Sequence, residues 1–391
     1  IEEKYLSNLI KIMNHRGPDE SGYYKDINDE SLVILGHNRL SILDIENGSQ
    51  PMISQDKNFV VVFNGEIYNF SELREQLISL GHKFSTSHSD TEILIHGFKE
   101  WGKHLPEHLN GMWSFAIYNR IDKQIFISRD RFGEKPLFYL YMNNIFIFSS
   151  EILFFSKIKE ITLSLNLLNL KKYCANGFFP NDNTPYNEVL KLPASFNLNL
   201  FLPTMKIVQQ KYWEYNHEPN YKNTEEEWCE EIYYLLNESV KKRLVADVSV
   251  GVLLSGGVDS SIIAYLAKKN SSINLNTYSI GFEEKSFDET YYAEYVAKKI
   301  NSIHQTRIIK TNEISSISDE LLKKIDEPLS DSSLIPYYEL CKSASMKSKV
   351  VLGGDSADEL LAGYDTFKAI KYLKIINTFK INKINSFIDF L

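Results

Sequence analysis

Between residues 250 and 270 the chain packs an apolar run, a glycine loop and a helical pattern into a stretch that few folds can accommodate. Val250-Gly251-Val252-Leu253-Leu254 reads as a strand, Ser255-Gly256-Gly257 interrupts it, and Val258-Asp259-Ser260-Ser261 opens a helix that continues through Ile262 to Ala267. The two glycines let backbone N–H groups approach an anion closely. Hydroxyls at Ser255, Ser260 and Ser261 add donors, and the helix N-terminus contributes the positive end of its dipole. Such a loop can hold pyrophosphate. It lacks the Gly-Lys-Ser/Thr ending of a Walker loop, so it is not the usual kinase or GTPase cradle. An acid at this position, Asp259, would hold Mg2+ rather than repel phosphate.

Downstream, strand and helix patterns alternate. Strands are expected over 276–281, 305–309 and 349–352, and helices over 289–300, 314–325 and 333–346. This alternation predicts an α/β doubly wound parallel sheet with its site at the C-terminal ends of the strands. Leu352-Gly353-Gly354-Asp355-Ser356-Ala357-Asp358 follows the last strand as Ser255-Gly256-Gly257 follows the first, so both loops should face one crevice. Opposite a pyrophosphate loop, Asp355 and Asp358 read as Mg2+ ligands or as groups handling an activated intermediate; the bland alternative is a charged helix N-terminus.

The first half is of another kind. Strands are expected at 32–35, 59–63, 113–118, 124–128, 137–142 and 145–149, the last two joined by an Asn143-Asn144 hairpin turn. Helices are expected at 6–13, at 72–80 behind a Ser71 cap, and at 92–101 behind Ser89-Asp90-Thr91. Strands, two helices and more strands imply a layered α+β domain. From 163 to 212 the chain carries scattered prolines and reads as connecting structure. A helix over 225–245 then places Trp228, Ile232, Leu235, Leu236 and Val240 at core spacing.

Composition narrows the chemistry. The 391 residues carry a formal charge of −8, which lacks the basic face that phosphate-backbone binding needs, so nucleic acid is not an expected partner. No apolar run reaches a membrane span, and the start at Ile1 is no signal peptide. Cys174, Cys229 and Cys341 show no paired spacing, which points to a cytoplasmic protein. The N-terminus lacks an initiator Met, and Asn382 to Leu391 stops uncapped in a helical, half-apolar pattern, so a fragment cut at both ends is expected.

Two sets of motifs resemble known families. Ser255-Gly256-Gly257-Val258-Asp259-Ser260 resembles the PP-loop of ATP pyrophosphatases. His15-Arg16-Gly17-Pro18-Asp19, His37-Asn38-Arg39-Leu40-Ser41-Ile42, Phe63-Asn64-Gly65-Glu66-Ile67-Tyr68-Asn69, Ser89-Asp90-Thr91-Glu92 and Arg129-Asp130-Arg131-Phe132-Gly133-Glu134-Lys135-Pro136-Leu137, in this order, resemble a class II glutamine amidotransferase domain. Together they resemble the glutamine-hydrolysing asparagine synthetase family over essentially the whole chain.

That resemblance implies an αββα N-terminal-nucleophile sandwich over 1–162, a connecting segment over 163–215 and the PP-loop synthetase domain over 216–391. Arg39 would pair with the glutamine α-carboxylate in bidentate fashion, Glu66 and Asp90 would hold its ammonium, and Leu40, Ser41, Ile42 and Leu43 would line the pocket. Asn64 and Gly65 would form the oxyanion hole. Leu253 and Ile280 would contact the adenine or ribose of ATP, Ser255, Gly256, Gly257, Asp259 and Ser260 its pyrophosphate, and Gly353 and Gly354 the nucleotide edge. Asp355 would be catalytic, and Asp259 and Asp358 would hold Mg2+. At Gly353 the family more often has Ser, which removes a hydroxyl contact. The family nucleophile is a cysteine at the mature N-terminus; the first cysteine here, Cys174, lies downstream of the glutaminase motifs and reads as structural, so about ten residues are expected to be missing upstream.

The implied reaction is amidation of aspartate through an acyl-adenylate, with AMP, pyrophosphate and glutamate released. The stretch Asp331-Ser332-Ser333 resembles a branch of the family that also amidates other carboxylates, including sugar uronic acids of surface polysaccharides. Amidation of such a sugar acid, or a non-catalytic glutamine- or nucleotide-sensing role, therefore stay open. A homodimer is a further open expectation.

Overall fold

The computed structural model describes residues 3–27, 31–219 and 222–378, which form two compact units. The helical pattern expected over 382–391 lies outside the described residues. Of the described residues, the first unit holds those within 3–235, 245–249 and 312–338, the second those within 236–244, 250–311 and 339–378.

In the first unit, helix α1 (Glu3–Lys11) leads to β1 (Glu20–Ile27) and β2 (Leu32–Arg39), an antiparallel pair running from Glu20 opposite Arg39 to Ile27 opposite Leu32. Strands β3 (Met52–Ile53) and β4 (Phe59–Ile67), helices α2 (Phe70–Ser79), α3 (Asp90–Trp101) and α4 (Leu105–His108), then β5 (Gly111–Asn119) and β6 (Gln124–Arg129) follow. Next come β7 (Phe138–Met142), β8 (Ile145–Ser149), α5 (Leu153–Ser156), α6 (Leu167–Asn176), β9 (Val189–Lys191), β10 (Phe196–Phe201) and β11 (Lys206–Lys211).

A six-stranded sheet in the order β11-β10-β6-β5-β4-β3 forms the centre, and its inner strands β4, β5 and β6 carry apolar residues on both faces because both are covered. One face, with Val61, Phe63, Phe115, Ile117 and Phe126, packs on Leu73 and Leu77 of α2 and Ile93, Leu94 and Phe98 of α3. The other, with Val60, Val62, Ala116, Tyr118, Ile125 and Ile127, meets Val33 and Leu35 of β2 and Leu137 and Tyr139 at β7. Alternation along β7 sends Phe138 and Leu140 to the opposite side, against Ile152 and Phe155. Helix α1 packs on β1 and β2. The result is the expected α, β, β, α layering, with the second β layer divided into the pair β1-β2 and the triplet β8-β7-β9.

Several local expectations meet the structure with differences. Asn143 and Asn144 both adopt positive φ (50° and 57°), the type I′ geometry that matches strand twist, and Met142 faces Ile145 across the turn. Ser71 is not a cap: α2 begins at Phe70, with Asn69 as its N-cap. Residues 163–212 do more than connect. β10 pairs with β6 from Asn197 opposite Ser128 to Phe201 opposite Gln124, and β9 pairs with β7, so this stretch supplies sheet to the first unit. Prolines 180, 185, 193 and 203 all fall outside its strands, where no ladder hydrogen bond is needed.

Helix α7 (Glu225–Arg243) forms as the spacing predicts, but of the five apolar positions only Val240 is buried; Trp228 and Leu235 are exposed. Periodicity identifies an apolar face without supplying a partner for it.

In the second unit, β12 (Val250–Leu253), α8 (Val258–Asn270), β13 (Asn276–Phe282), α9 (Thr290–Ile300) and β14 (Ile303–Ile309) alternate; α10 (Ile314–Leu322) then falls in the first unit, and α11 (Leu334–Ala344) leads back to β15 (Val350–Leu352), α12 (Ala357–Leu361) and α13 (Asp365–Thr378). The sheet is parallel throughout, in the order β14-β13-β12-β15. Strand order reverses between β12 and β15, and the crevice beyond the carboxyl ends at such a reversal is where open α/β sheets bind ligands.

Candidate functional site

A cavity of about 270 Å3 in the first unit is lined by residues from four loops and strand ends. Arg39 closes β2, while Leu40, Ile42 and Leu43 follow it; Asn64, Gly65 and Glu66 come from the end of β4, and Asp90 from the first turn of α3. All eight line the same space. Ser41 does not: it is buried away from the cavity, its N–H donating to Asp19 Oδ2 at 2.8 Å. Gly65 is required by close approach, since a Cβ there would stand 2.1 Å from the Met112 carbonyl oxygen of β5.

The electrostatics suit a zwitterion. Asp90 is buried and its carboxyl is pushed up to about 6, first by burial, with the Ile67 N–H donating to it at 3.1 Å as the main opposing influence. Glu66 is raised well above the carboxylate range by burial and by the Asp90 charge beside it, partly offset by Lys135. Two adjacent carboxylates in a shielded wall disfavour double ionisation, and an ammonium placed between them would restore it. Arg39 supplies the opposite sign. Its Nη2 donates to the carbonyls of Leu43 and Asp44 at 3.0 and 2.8 Å, and its Nη1 to the carbonyl of Ile45 at 3.0 Å, so a bidentate grip on a carboxylate requires these carbonyls to release guanidinium N–H groups.

Sequence reasoning did not single out Arg16, His37, Gln50, Lys135 and Ser150 as cavity lining. Arg16, His37 and Lys135 sit inside the quoted motifs, so the signal was present: charged or polar residues on a strand end or in the loops beside the strands. His37 Nε2 bonds the Phe63 carbonyl at 3.0 Å, its Nδ1 is buried without a hydrogen-bond partner, and burial lowers its pKa to about 4. Glu151, buried, fixes the loop at His15 and Arg16 through contacts of 2.8 and 3.2 Å.

In the second unit the loop after β12 is folded on its own hydroxyls and glycines. Ser255 Oγ and Ser260 Oγ lie 2.9 Å apart, and the Gly257 N–H points to Ser255 Oγ at 3.3 Å. Gly256 has φ +88°, and a Cβ on it would meet the Ala293 nitrogen at 2.5 Å. Gly354 comes against the start of α8, where a Cβ would stand 2.9 Å from the Ser260 nitrogen and 3.1 Å from Asp259. The two glycine loops therefore do converge. Leu253 is buried against Tyr278 and Ala344, and Ile280 is half-buried on the adjacent strand. Gly353 precedes Gly354 in the same loop, and Asp355 follows, its charge raising the half-buried Cys341 thiol further after burial has done so.

Asp259 and Asp358 stand in the first turns of α8 and α12. Among the described residues no group of three His, Cys, Asp or Glu side chains is placed to hold a metal ion. Cys174 and Cys229 are exposed and unpaired, and no described helix is long and apolar enough to cross a membrane.

Comparison with known proteins bears on the whole chain. Residues 1–213 match the family model for a glutamine amidotransferase domain, and residues 231–380 match that for asparagine synthase. A protein of Methanocaldococcus jannaschii named putative asparagine synthetase [glutamine-hydrolyzing] 2 is 35% identical over 92% of this chain and 72% of its own length. The chain belongs to the glutamine-hydrolysing asparagine synthetase family. Asparagine synthetase [glutamine-hydrolyzing] 1 of Bacillus subtilis is 33% identical over 95% of this chain. This family member spans only 58% of that relative's length.

Proposed function

We propose that the protein is a glutamine-dependent, ATP-dependent amide ligase that converts aspartate to asparagine. The observation that carries the reading is the cavity in which Arg39 faces the demand of a carboxylate while Glu66 and Asp90 meet that of an ammonium, beside Asn64 and Gly65. A free amino acid is the ligand that satisfies both charges at once. The side-chain amide of Asn64 and the N–H of Gly65 then stabilise the oxyanion that develops on the γ-carbonyl as glutamine is hydrolysed.

The ammonia released is consumed at the second unit. There Ser255, Gly256, Gly257 and Ser260 hold the pyrophosphate of ATP, Gly353 and Gly354 let the nucleotide approach, and Leu253 and Ile280 border the base and ribose. Asp259 and Asp358 would hold Mg2+, which when bound neutralises phosphate charge. The acceptor carboxylate attacks the α-phosphate, pyrophosphate leaves, and ammonia displaces AMP from the acyl-adenylate. Asp355 would handle that intermediate. Adenylation is what makes the carboxylate open to attack by ammonia.

The test uses protein expressed from its complete reading frame, with ATP, Mg2+ and glutamine. Glutamate release that rises when ATP and aspartate are added, with matching asparagine, is the expected result. Glutamate release with AMP formation only when a sugar uronic acid replaces aspartate would move the acceptor and keep the ligase. No hydrolysis of glutamine would end the reading.

A further inference from the structure

The wall of the glutamine cavity is braced by a residue from well beyond the segment that matches the amidotransferase domain. Asp247 lies in the short stretch 245–249 between α7 and β12, grouped with the first unit, whereas the amidotransferase match ends at residue 213. Its backbone N–H donates to the Ile42 carbonyl at 3.0 Å. One oxygen of its side chain, Oδ2, accepts from the Asp44 N–H at 2.8 Å and meets His88 Nε2 at 2.7 Å. A single carboxylate oxygen thus touches two loops that are 44 residues apart in sequence.

Those two loops carry opposite ends of the proposed amino-acid clamp. The first, 40–48, is folded around the Arg39 guanidinium, which is bonded to the carbonyls of Leu43, Asp44 and Ile45. The second, 85–89, delivers Asp90 at the start of α3. Asp44 joins them from the inside: its side chain is buried, and its Oδ2 accepts from the N–H groups of Ser87 and His88, both at 3.1 Å. Asp247 joins the same loops from the outside, through the partly exposed His88 ring.

We propose that Asp247 is a positioning residue for glutamine: it sets the spacing between the Arg39 loop and the Asp90 loop, and hence between the charges that grip the substrate's carboxylate and ammonium. It touches neither substrate nor reacting atoms. A displacement of about 1 Å in such a clamp is enough to change affinity on the order of tenfold or more. The proposal rests on the glutaminase reading of the cavity, and it extends that site to a residue outside its own domain match.

Asp247→Ala and Asp247→Asn would be compared with the parent by three readouts: KM and kcat for glutamine hydrolysis, thermal midpoint, and amide hydrogen exchange. For Asp247→Ala the expected result is a KM for glutamine raised about tenfold with kcat nearly retained, and exchange raised in 40–48 and 85–89 but not in the central sheet. Asp247→Asn keeps an acceptor oxygen and should recover most of the affinity. An unchanged KM, or exchange raised evenly across the first unit with KM and kcat falling in step with thermal stability, would overturn the proposal. A parent protein that hydrolyses no glutamine would end the underlying reading instead. In that case the exchange pattern alone decides: faster exchange confined to the two loops supports the brace, and unchanged exchange overturns it.

Discussion

Asp90 shows how a buried cavity carboxylate, proposed here to bind substrate, works against the stability of its own fold. Its raised carboxyl means that the folded protein takes up a proton more readily than the unfolded chain. Its contribution to stability is therefore complete below the ordinary carboxylate range and is lost as pH rises through about 6. At neutral pH the buried charge is a net cost. Asp90→Asn should accordingly raise the thermal midpoint at pH 7, by the equivalent of about 1–3 kcal/mol, an advantage that disappears below about pH 4. The same substitution should raise KM for glutamine by an order of magnitude or more, and in the parent protein KM should climb as pH falls through about 6, because a protonated Asp90 no longer attracts ammonium. Calorimetry and steady-state kinetics across pH 4–8 check both. His37 has the opposite sign: its pKa is lowered from 6.5 to about 4, so its contribution is present above 6.5 and is lost as pH falls towards 4. That Arg39, Glu66 and Asp90 line one cavity was legible because charged types recur inside motifs at strand and helix ends. Ser41 was misplaced because adjacent residues of an irregular loop share no periodicity that tells inside from outside.

Elements were most legible where local chemistry alone dictates geometry. Asn143-Asn144 forms its hairpin because both residues tolerate positive φ, and the β12 loop forms because only glycine fits Gly256 against α9. Gly256→Ala should therefore combine backbone strain with a clash at Ala293, abolishing ATP-dependent AMP formation while leaving glutamine hydrolysis within about twofold. Gly65→Ala should do the reverse. A Cβ pressed on the Met112 carbonyl must spread β4 from β5, and displacement of the oxyanion donors should lower glutaminase kcat on the order of a hundredfold. The two variants, assayed for both half-reactions, separate the two sites. What sequence could not reveal at this scale was partnership. β10 reads as one more short polar-apolar run until β6 lies beside it, and the apolar positions of α7 look like core although Trp228 and Leu235 are exposed. Hydrophobic period reports the face of an element, and only tertiary structure reports what meets it.

At the scale of the molecule, two folds of different class follow one another in a single chain: a sheet covered by helices on one face and by a second β layer on the other, then a parallel sheet whose strand order reverses beside its glycine loops. Order of motifs made this division visible in sequence. The residue that sequence reading passed over is Asp247, since a lone aspartate in a five-residue stretch before β12 carries no local signature; its role emerges only when Ile42, Asp44 and His88 are brought to it. In the proposed function, hydrolysis of glutamine in the first unit serves an adenylation in the second. It is tested most directly by measuring AMP, pyrophosphate and asparagine formed by the full-length protein with ATP, Mg2+ and glutamine, with and without aspartate. The expected result is AMP release that depends on aspartate and equals asparagine formed, mole for mole. Glutamine hydrolysis with no AMP release for aspartate or any other carboxylate would contradict it.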